Sequence, residues 1–270
     1  MLTLGRCAWL ASGMSINEIN RKLAIVIGAS SGIGKSAAIQ IAQRGAGVIL
    51  TYNTNADGAN ETVTAIQAAG GTSVALPLDV GRSETFPAFV DRVTSEISDR
   101  WQRTSVDHLV NNARFGQMAM IEDTTEELFD RFYRVILKGP YFLTQKLLPI
   151  IADGGAVINT TSNSSLRPKV GYSAYASMKG ALTTLTKCMA KEFGGRGIRV
   201  NGIAPGPTRT RIADDAFDRY PEVIPPLIER TTLGRLGEDD DVGKVIATLL
   251  SDECGWITAE NIEVSGGFNL

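Results

Sequence analysis

Short apolar runs rich in branched side chains recur along the chain, and stretches with a helical period separate them. The runs are LAIVI (Leu23–Ile27), GVILT (Gly47–Thr51), SVALPL (Ser73–Leu78), DHLVN (Asp107–Asn111), AVINTT (Ala156–Thr161), IRVNGI (Ile198–Ile203) and NIEVS (Asn261–Ser265). A short, continuous apolar run suits a strand buried on both faces, as in a parallel sheet. In the first intervening stretch, IGKSAAIQIAQR, the residues Ile33, Ala37, Ile41 and Ala42 share one helical face. EELFDRFYRVILKGPYFLTQKLLPII reads as one long amphipathic helix. Strand alternating with helix predicts an α/β fold: a Rossmann-type, doubly wound, mostly parallel seven-stranded sheet flanked by helices, with right-handed crossovers.

One domain accounts for residues 21–270. Residues 1–20 read as a loosely ordered extension. Arg6 interrupts its apolar stretch, which is too short for a membrane helix. It nearly lacks the charged start of a secretory signal, and Met14 offers a second start. The least regular piece runs from Pro207 to Asp241 and holds four of the ten prolines. Its section at about 207–235 reads as a substrate loop or lid.

Composition narrows the function. The net charge is −2 and no basic run is present, which argues against nucleic acid or a membrane surface as partner. The cysteines, Cys7, Cys188 and Cys254, form no metal spacing and no disulfide framework. That favours a reducing, cytoplasmic setting. Cys188 reads as packed, and His108, the only histidine, as structural within its strand. Trp101 and the Asp239–Asp241 run read as surface or packing features. Glu238 to Asp241 suit a helix start.

The first strand leads directly into GASSGIGK. Gly28, Gly32 and Gly34 allow a tight turn and a close approach, and a helix N-terminus offers free N–H groups to a pyrophosphate. The spacing is G-x-x-x-G-x-G, and its place after the first strand points to a dinucleotide site. Further on, GYSAYASMKGAL puts Tyr175 and Lys179 one helical turn apart, on one face.

GASSGIG, LDV (Leu78–Val80), NNA (Asn111–Ala113), Ser162, Tyr175-x-x-x-Lys179 and APGPTRT (Ala204–Thr210) come in the order and spacing of one family. With GRLGEDDDVGKVIATLLSD and the C-terminal WITAENIEVSGGFNL, the chain from about residue 21 to 270 resembles the short-chain dehydrogenases/reductases. The resemblance implies interconversion of a carbonyl and a secondary alcohol with a nicotinamide cofactor. Tyr175 would exchange the proton. Lys179 would lower the phenol's pKa from about 10 by about three units and bind the ribose. Ser162 would hold the substrate oxygen. The loop residues Gly28, Ser30, Ser31, Gly32, Ile33 and Gly34 would bind the cofactor. So would Tyr52 and Asn53 after strand two, Asp79 and Val80 at the adenine, Asn112 and Ala113 at the adenosine ribose, and Pro205, Gly206, Thr208 and Thr210 at the nicotinamide. No carboxylate closes strand two at Tyr52, while Ser30, Ser31, Thr51, Asn53, Thr54 and Lys35 suit a 2′-phosphate, so NADP(H) is expected over NAD(H). The substrate is a small carbonyl or alcohol in an apolar cleft around Phe115, Met118, Leu166 and Phe217. The helix over 125–151 and the Tyr175 helix would form the subunit interface of a homotetramer or homodimer.

Three positions depart from the family's pattern. Ile27 stands where Thr precedes the first glycine, at the loss of a loop hydrogen bond. Arg114 replaces the glycine of NNAG and is expected to meet solvent, pair with a carboxylate or narrow the site. Ile136 stands where Asn supports a water relay, which predicts reduced or rerouted proton supply. Two alternatives stay open: a catalytically impaired dinucleotide-binding protein, and a 3-oxoacyl-carrier reductase. The latter needs a basic patch near the cleft, for which Arg209, Arg211, Arg219 and Arg230 are candidates.

Overall fold

The computed structural model describes residues 22–210 and 216–270. The extension read at 1–20 and Arg211 lie outside them.

Strand β1 (Leu23–Ile27) leads into helix α1 (Gly32–Gln43). Then come β2 (Gly47–Tyr52), α2 (Ala56–Ala68), β3 (Ser73–Pro77), α3 (Phe86–Trp101) and β4 (Val106–Asn111). Next are α4 (Glu126–Phe132), α5 (Gly139–Leu147), β5 (Ile151–Thr160), α6 (Ser173–Phe193) and β6 (Arg199–Pro205). Short elements follow: β7 (Thr208–Arg209), α7 (Ala216–Arg219), α8 (Ile224–Glu229) and β8 (Gly237–Glu238). Helix α9 (Asp239–Leu249) and strand β9 (Asn261–Val264) complete the order. The seven-stranded sheet runs β3-β2-β1-β4-β5-β6-β9, with every neighbouring pair parallel.

Strand periodicity divides the core. Ala24 and Val26 face α1, α2 and α9, whereas Leu23, Ile25 and Ile27 face α3, α5 and α6. Both sides are buried, which is why the strands read as continuous apolar runs. Each fully buried Ile, Leu or Val contributes about 1.5–3 kcal/mol relative to exposure.

Strand order reverses at β1. The chain runs outward to β3, then returns to place β4 on the other side. The loops after β1 and β4 therefore diverge at the carboxyl ends of adjacent strands. Such a crevice is where open α/β sheets bind ligands.

The long helix expected over EELFDRFYRVILKGPYFLTQKLLPII is broken. Between α4 and α5 the turns widen to a π-helical segment, Tyr133–Lys138, and the Gly139 N–H reaches back to the Arg134 carbonyl. Pro140 has no N–H to give to the Ile136 carbonyl four residues earlier, so regular α bonding cannot pass through this point. The final apolar residues leave the helix altogether: Leu148–Ile150 form a 3-10 turn and Ile151 opens β5, five residues ahead of the expected Ala156. Cys188 is exposed rather than packed, because it points away from the α6 face that buries Leu182, Thr186 and Met189. His108 is buried in β4 as expected. Trp101 packs over Gly47 and donates to Thr72 Oγ1 at 2.9 Å.

Candidate active site

The turn after β1 is shaped by what it must approach. Gly28 adopts φ +75°, and a Cβ there would meet Ala113 Cα at 2.8 Å. A Cβ on Gly34 would fall 2.5 Å from Asn112 Nδ2. The β1 and β4 loops are thus locked at van der Waals contact. Asn112 Nδ2 donates to the Gly28 carbonyl at 2.9 Å, and its Oδ1 accepts from Thr160 Oγ1 at 3.2 Å. Thr51 Oγ1 accepts from the Gly28 N–H at 3.0 Å, so a β2 hydroxyl bonds this loop although Ile27 has none. Ser31 caps α1 without a side-chain bond to the helix, and no acid stands in its first turn. The opening N–H groups therefore keep their capacity for an anion. A glycine cradle below an open helix N-terminus fits a dinucleotide pyrophosphate. The adjoining cleft of about 650 Å³ is bordered by Ser30, Ser31, Lys35, Asn55, Thr210 and Asp239, among others.

At the far side of the crevice, α6 presents Tyr175 and Lys179 one turn apart, both buried. Lys179 Nζ lies 5.8 Å from the Tyr175 ring centre and donates to the Thr160 carbonyl at 2.5 Å. Ser162, just past β5, accepts from the Ser164 N–H at 3.1 Å and stands near enough to the Tyr175 phenol to pull its pKa down. The structure thus brings Ser162, Tyr175 and Lys179 together at the carboxyl ends of β4 and β5.

The electrostatics differ from the expectation. Burial raises the Tyr175 phenol above its ordinary value; Arg114 and Ser162 pull the other way. Burial, helped by Arg114, brings Lys179 down to about 7. The acidifying cation is therefore Arg114, and in the protein alone it does not overcome desolvation. The apolar wall explains this. Phe132 meets Tyr175 edge-on with ring centres 6.1 Å apart, and Tyr172 does so at 6.2 Å. Ile136, fully buried, packs in the same cluster with Ala174 and Met178. An apolar seal stands where the resemblance implied a hydrated amide.

Arg114 neither reaches solvent freely nor pairs with a carboxylate within 4 Å among the described residues. It crosses the crevice, and its Nη2 donates to Thr210 Oγ1 at 3.0 Å. Asp239, read as a surface feature, stands at the same crevice, where burial raises it to about 6 against the pull of Arg114. Its Oδ1 is buried without a hydrogen-bond partner. Sequence reasoning missed it because only the packing of α9 on α1 brings it there. The acidic run itself does start a helix: Glu238 and Asp241 form a capping box on α9.

The remaining expected residues fall around this axis. Tyr52 closes β2 half-buried, and Asn53 is exposed beside it. Ile33 is buried in α1, and Val80 is buried beside Asp79, whose Oδ1 accepts from the Gly81 N–H at 2.8 Å. The Gly206 N–H bonds the Val264 carbonyl at 3.0 Å, and Thr208 Oγ1 bonds back to the Gly206 carbonyl, fixing the turn that begins at Pro205. Of the expected substrate residues, Met118 and Leu166 are exposed. Phe115 instead stacks on Phe132 at 4.4 Å, and Phe217 borders the glycine-loop cleft.

Comparison with known proteins agrees with this geometry. Residues 28–269 match the family described as enoyl-(acyl carrier protein) reductase. The chain is similar to the 3-oxoacyl-[acyl-carrier-protein] reductase FabG of Staphylococcus epidermidis, at 34% identity over 92% of this chain and 99% of that one. Among solved structures it is similar to the reductase LugOII, which catalyses keto-reduction at C1 during lugdunomycin biosynthesis. The TM-score is 0.89 at 35% identity, covering 94% of this chain and 100% of that one. It is also similar to the angucycline C-6 ketoreductase LanV, solved with bound NADP. There the TM-score is 0.89 at 33% identity, covering 94% and 97%. A match over nearly the whole chain, on a Rossmann-like sheet with Ser162, Tyr175 and Lys179 gathered at the carboxyl ends of its strands, makes this chain a member of the short-chain dehydrogenase/reductase family and an oxidoreductase of carbonyl and alcohol groups.

Proposed function

We propose that the protein is an NADP(H)-dependent ketoreductase in which Tyr175, Lys179 and Ser162 carry the proton chemistry. The carrying observation is the gathering of buried Ser162, Tyr175 and Lys179, with Lys179 Nζ 5.8 Å from the Tyr175 ring centre, across the crevice from the glycine cradle. When bound, the nicotinamide supplies or accepts the hydride. Tyr175 gives its proton to the carbonyl oxygen in reduction, and Ser162 holds that oxygen in hydrogen-bond reach. A raised phenol pKa keeps Tyr175 protonated at neutral pH, as a proton donor needs. Lys179, down at about 7, can take up and release a proton near neutrality. Its hydrogen bond to the Thr160 carbonyl aims it beneath Tyr175.

The preference for NADP(H) rests on the lack of a carboxylate at Tyr52 and Asn53 and on Lys35 at the cleft. Asp57 and Glu61 border the same cleft, and Glu61 holds Lys35 at 3.0 Å. Lys35→Ala should therefore narrow the ratio of NADPH to NADH affinity. Two of the lid arginines are engaged within the chain, which weakens the case for a carrier protein: Arg209 lies 3.8 Å from Glu238, and Arg230 covers the Phe268 ring while donating to Asn269. Assembly through the α4–α5 face is part of the proposal, since Phe129, Tyr133, Tyr141 and Phe142 stand exposed there.

The test is NADPH oxidation by wild type and Tyr175→Phe with simple ketones, angucycline ketones and 3-oxoacyl thioesters. The expected result is turnover of at least one class by wild type, reduced by roughly 100- to 10,000-fold in the variant. Equal turnover by both proteins removes Tyr175 from the mechanism. NADPH binding without turnover of any class favours the impaired binder.

A further inference from the structure

Arg114 is a half-buried guanidinium with one hydrogen bond among the described residues. A buried cation is costly unless paired, and Arg114 carries five donors in a planar fork that suits a phosphate or carboxylate bidentately. Among the described residues it uses only Nη2, toward Thr210 Oγ1 at 3.0 Å. That nitrogen lies 3.8 Å from where a Cβ on Gly32 would stand, at the opening turn of α1. The helix start carries partial positive charge of its own. The carboxylate that could relieve it, Asp239, has Oδ1 3.7 Å from the same point, on α9, yet forms no ion pair with Arg114 within 4 Å. On the other side the Arg114 charge reaches Tyr175. The guanidinium therefore stands between the pyrophosphate cradle and the reacting phenol, and among the described residues no carboxylate pairs with it there.

We propose that Arg114 is a ligand of the dinucleotide's diphosphate, turning from Thr210 onto the phosphate nearer the nicotinamide. This rests on the dehydrogenase reading above. A neutral glycine at this position leaves phosphate binding to backbone N–H groups. Arg114 adds two charge-assisted hydrogen bonds and a point charge, so retention of the whole dinucleotide depends on it and is sensitive to salt.

The experiment measures NADPH binding by fluorescence titration, across a range of salt, for wild type, Arg114→Gln and Arg114→Lys. Adenosine 2′,5′-bisphosphate serves as the second ligand, because it stops short of the nicotinamide-side phosphate. The expected result is roughly 10- to 100-fold weaker NADPH binding by Arg114→Gln. Its salt dependence should be shallower, Arg114→Lys should fall between, and all three proteins should bind the bisphosphate alike. Unchanged or tighter NADPH binding by Arg114→Gln overturns the proposal, the tighter case marking Arg114 as an obstacle in the crevice. Equal weakening of both ligands also overturns it, since Arg114 then shapes the cleft as a whole. A wild type that binds neither ligand overturns the NADP(H) reading on which the proposal rests, an outcome distinct from a variant that matches a binding-competent wild type.

Discussion

At the scale of single residues, burial governs which protonation state each group prefers. His108 is 1% exposed, neither ring nitrogen has a partner, and burial brings its pKa down from 6.5 to about 4. Asp107 and Asp252 oppose this, while Lys22 and Arg199 add to it. With the folded pKa depressed, the unfolded chain binds the proton more readily between pH 6.5 and 4. The contribution of His108 to stability is therefore fully present above pH 6.5 and is lost, by about 3 kcal/mol, as pH drops to 4. His108→Leu should flatten that acid limb, as urea midpoints at pH 7 and pH 4.5 will show. An unchanged limb in the variant would assign the loss to carboxylates instead. Tyr175 and Lys179 were legible in the sequence because a turn of helix converts their spacing into adjacency. The reach of Arg114 was not, since its partner Thr210 follows a different strand and only the sheet order brings the two loops face to face.

Among the elements, the β1 turn has little freedom. Gly34→Ala must push a methyl group into the Gly28 carbonyl and Asn112. Overpacking of this kind costs about 1–3 kcal/mol. Here it also separates the β1 and β4 loops, so NADPH binding should be lost by titration while circular dichroism keeps the α/β signature. Retained affinity would mean that the cradle can open without consequence. The strands were readable because a two-sided core keeps most of their positions apolar, with polar residues such as His108, Asn111, Asn159 and Asn201 too few to break the runs. Helix continuity was not, because amphipathic spacing runs on through Tyr133–Lys138 while Pro140 denies the backbone its bond. The start of β5 was hidden for another reason: Asp153, Gly154 and Gly155 interrupt the apolar run, yet the strand passes through them.

For the whole molecule, topology separates two charged regions. His108 and its neighbours Lys22, Arg199 and Asp252 lie toward the amino ends of the strands, while Arg114, Lys179 and Asp239 lie at the carboxyl ends. Acid sensitivity of the fold and proton exchange at the site therefore draw on different groups. Exposure of Phe129, Tyr133, Tyr141 and Phe142 along α4 and α5 puts an apolar face on the outside, near the wall that supports Tyr175. Replacing Tyr141 and Phe142 together with Glu should shift the sedimentation of an assembled protein to that of the monomer. An unchanged sedimentation coefficient would assign assembly to another surface.

The π segment between α4 and α5 has a consequence for the chain's history. Such a turn uses one more residue than an α turn for the same bonded step, so a single inserted amino acid can be absorbed there without unravelling the flanking helices. The surplus position sits directly against Tyr175, through Ile136. Changes in length at this point, as well as changes in residue type, are thus a route by which related chains can remodel the wall beside Tyr175 while the surrounding scaffold stays in place.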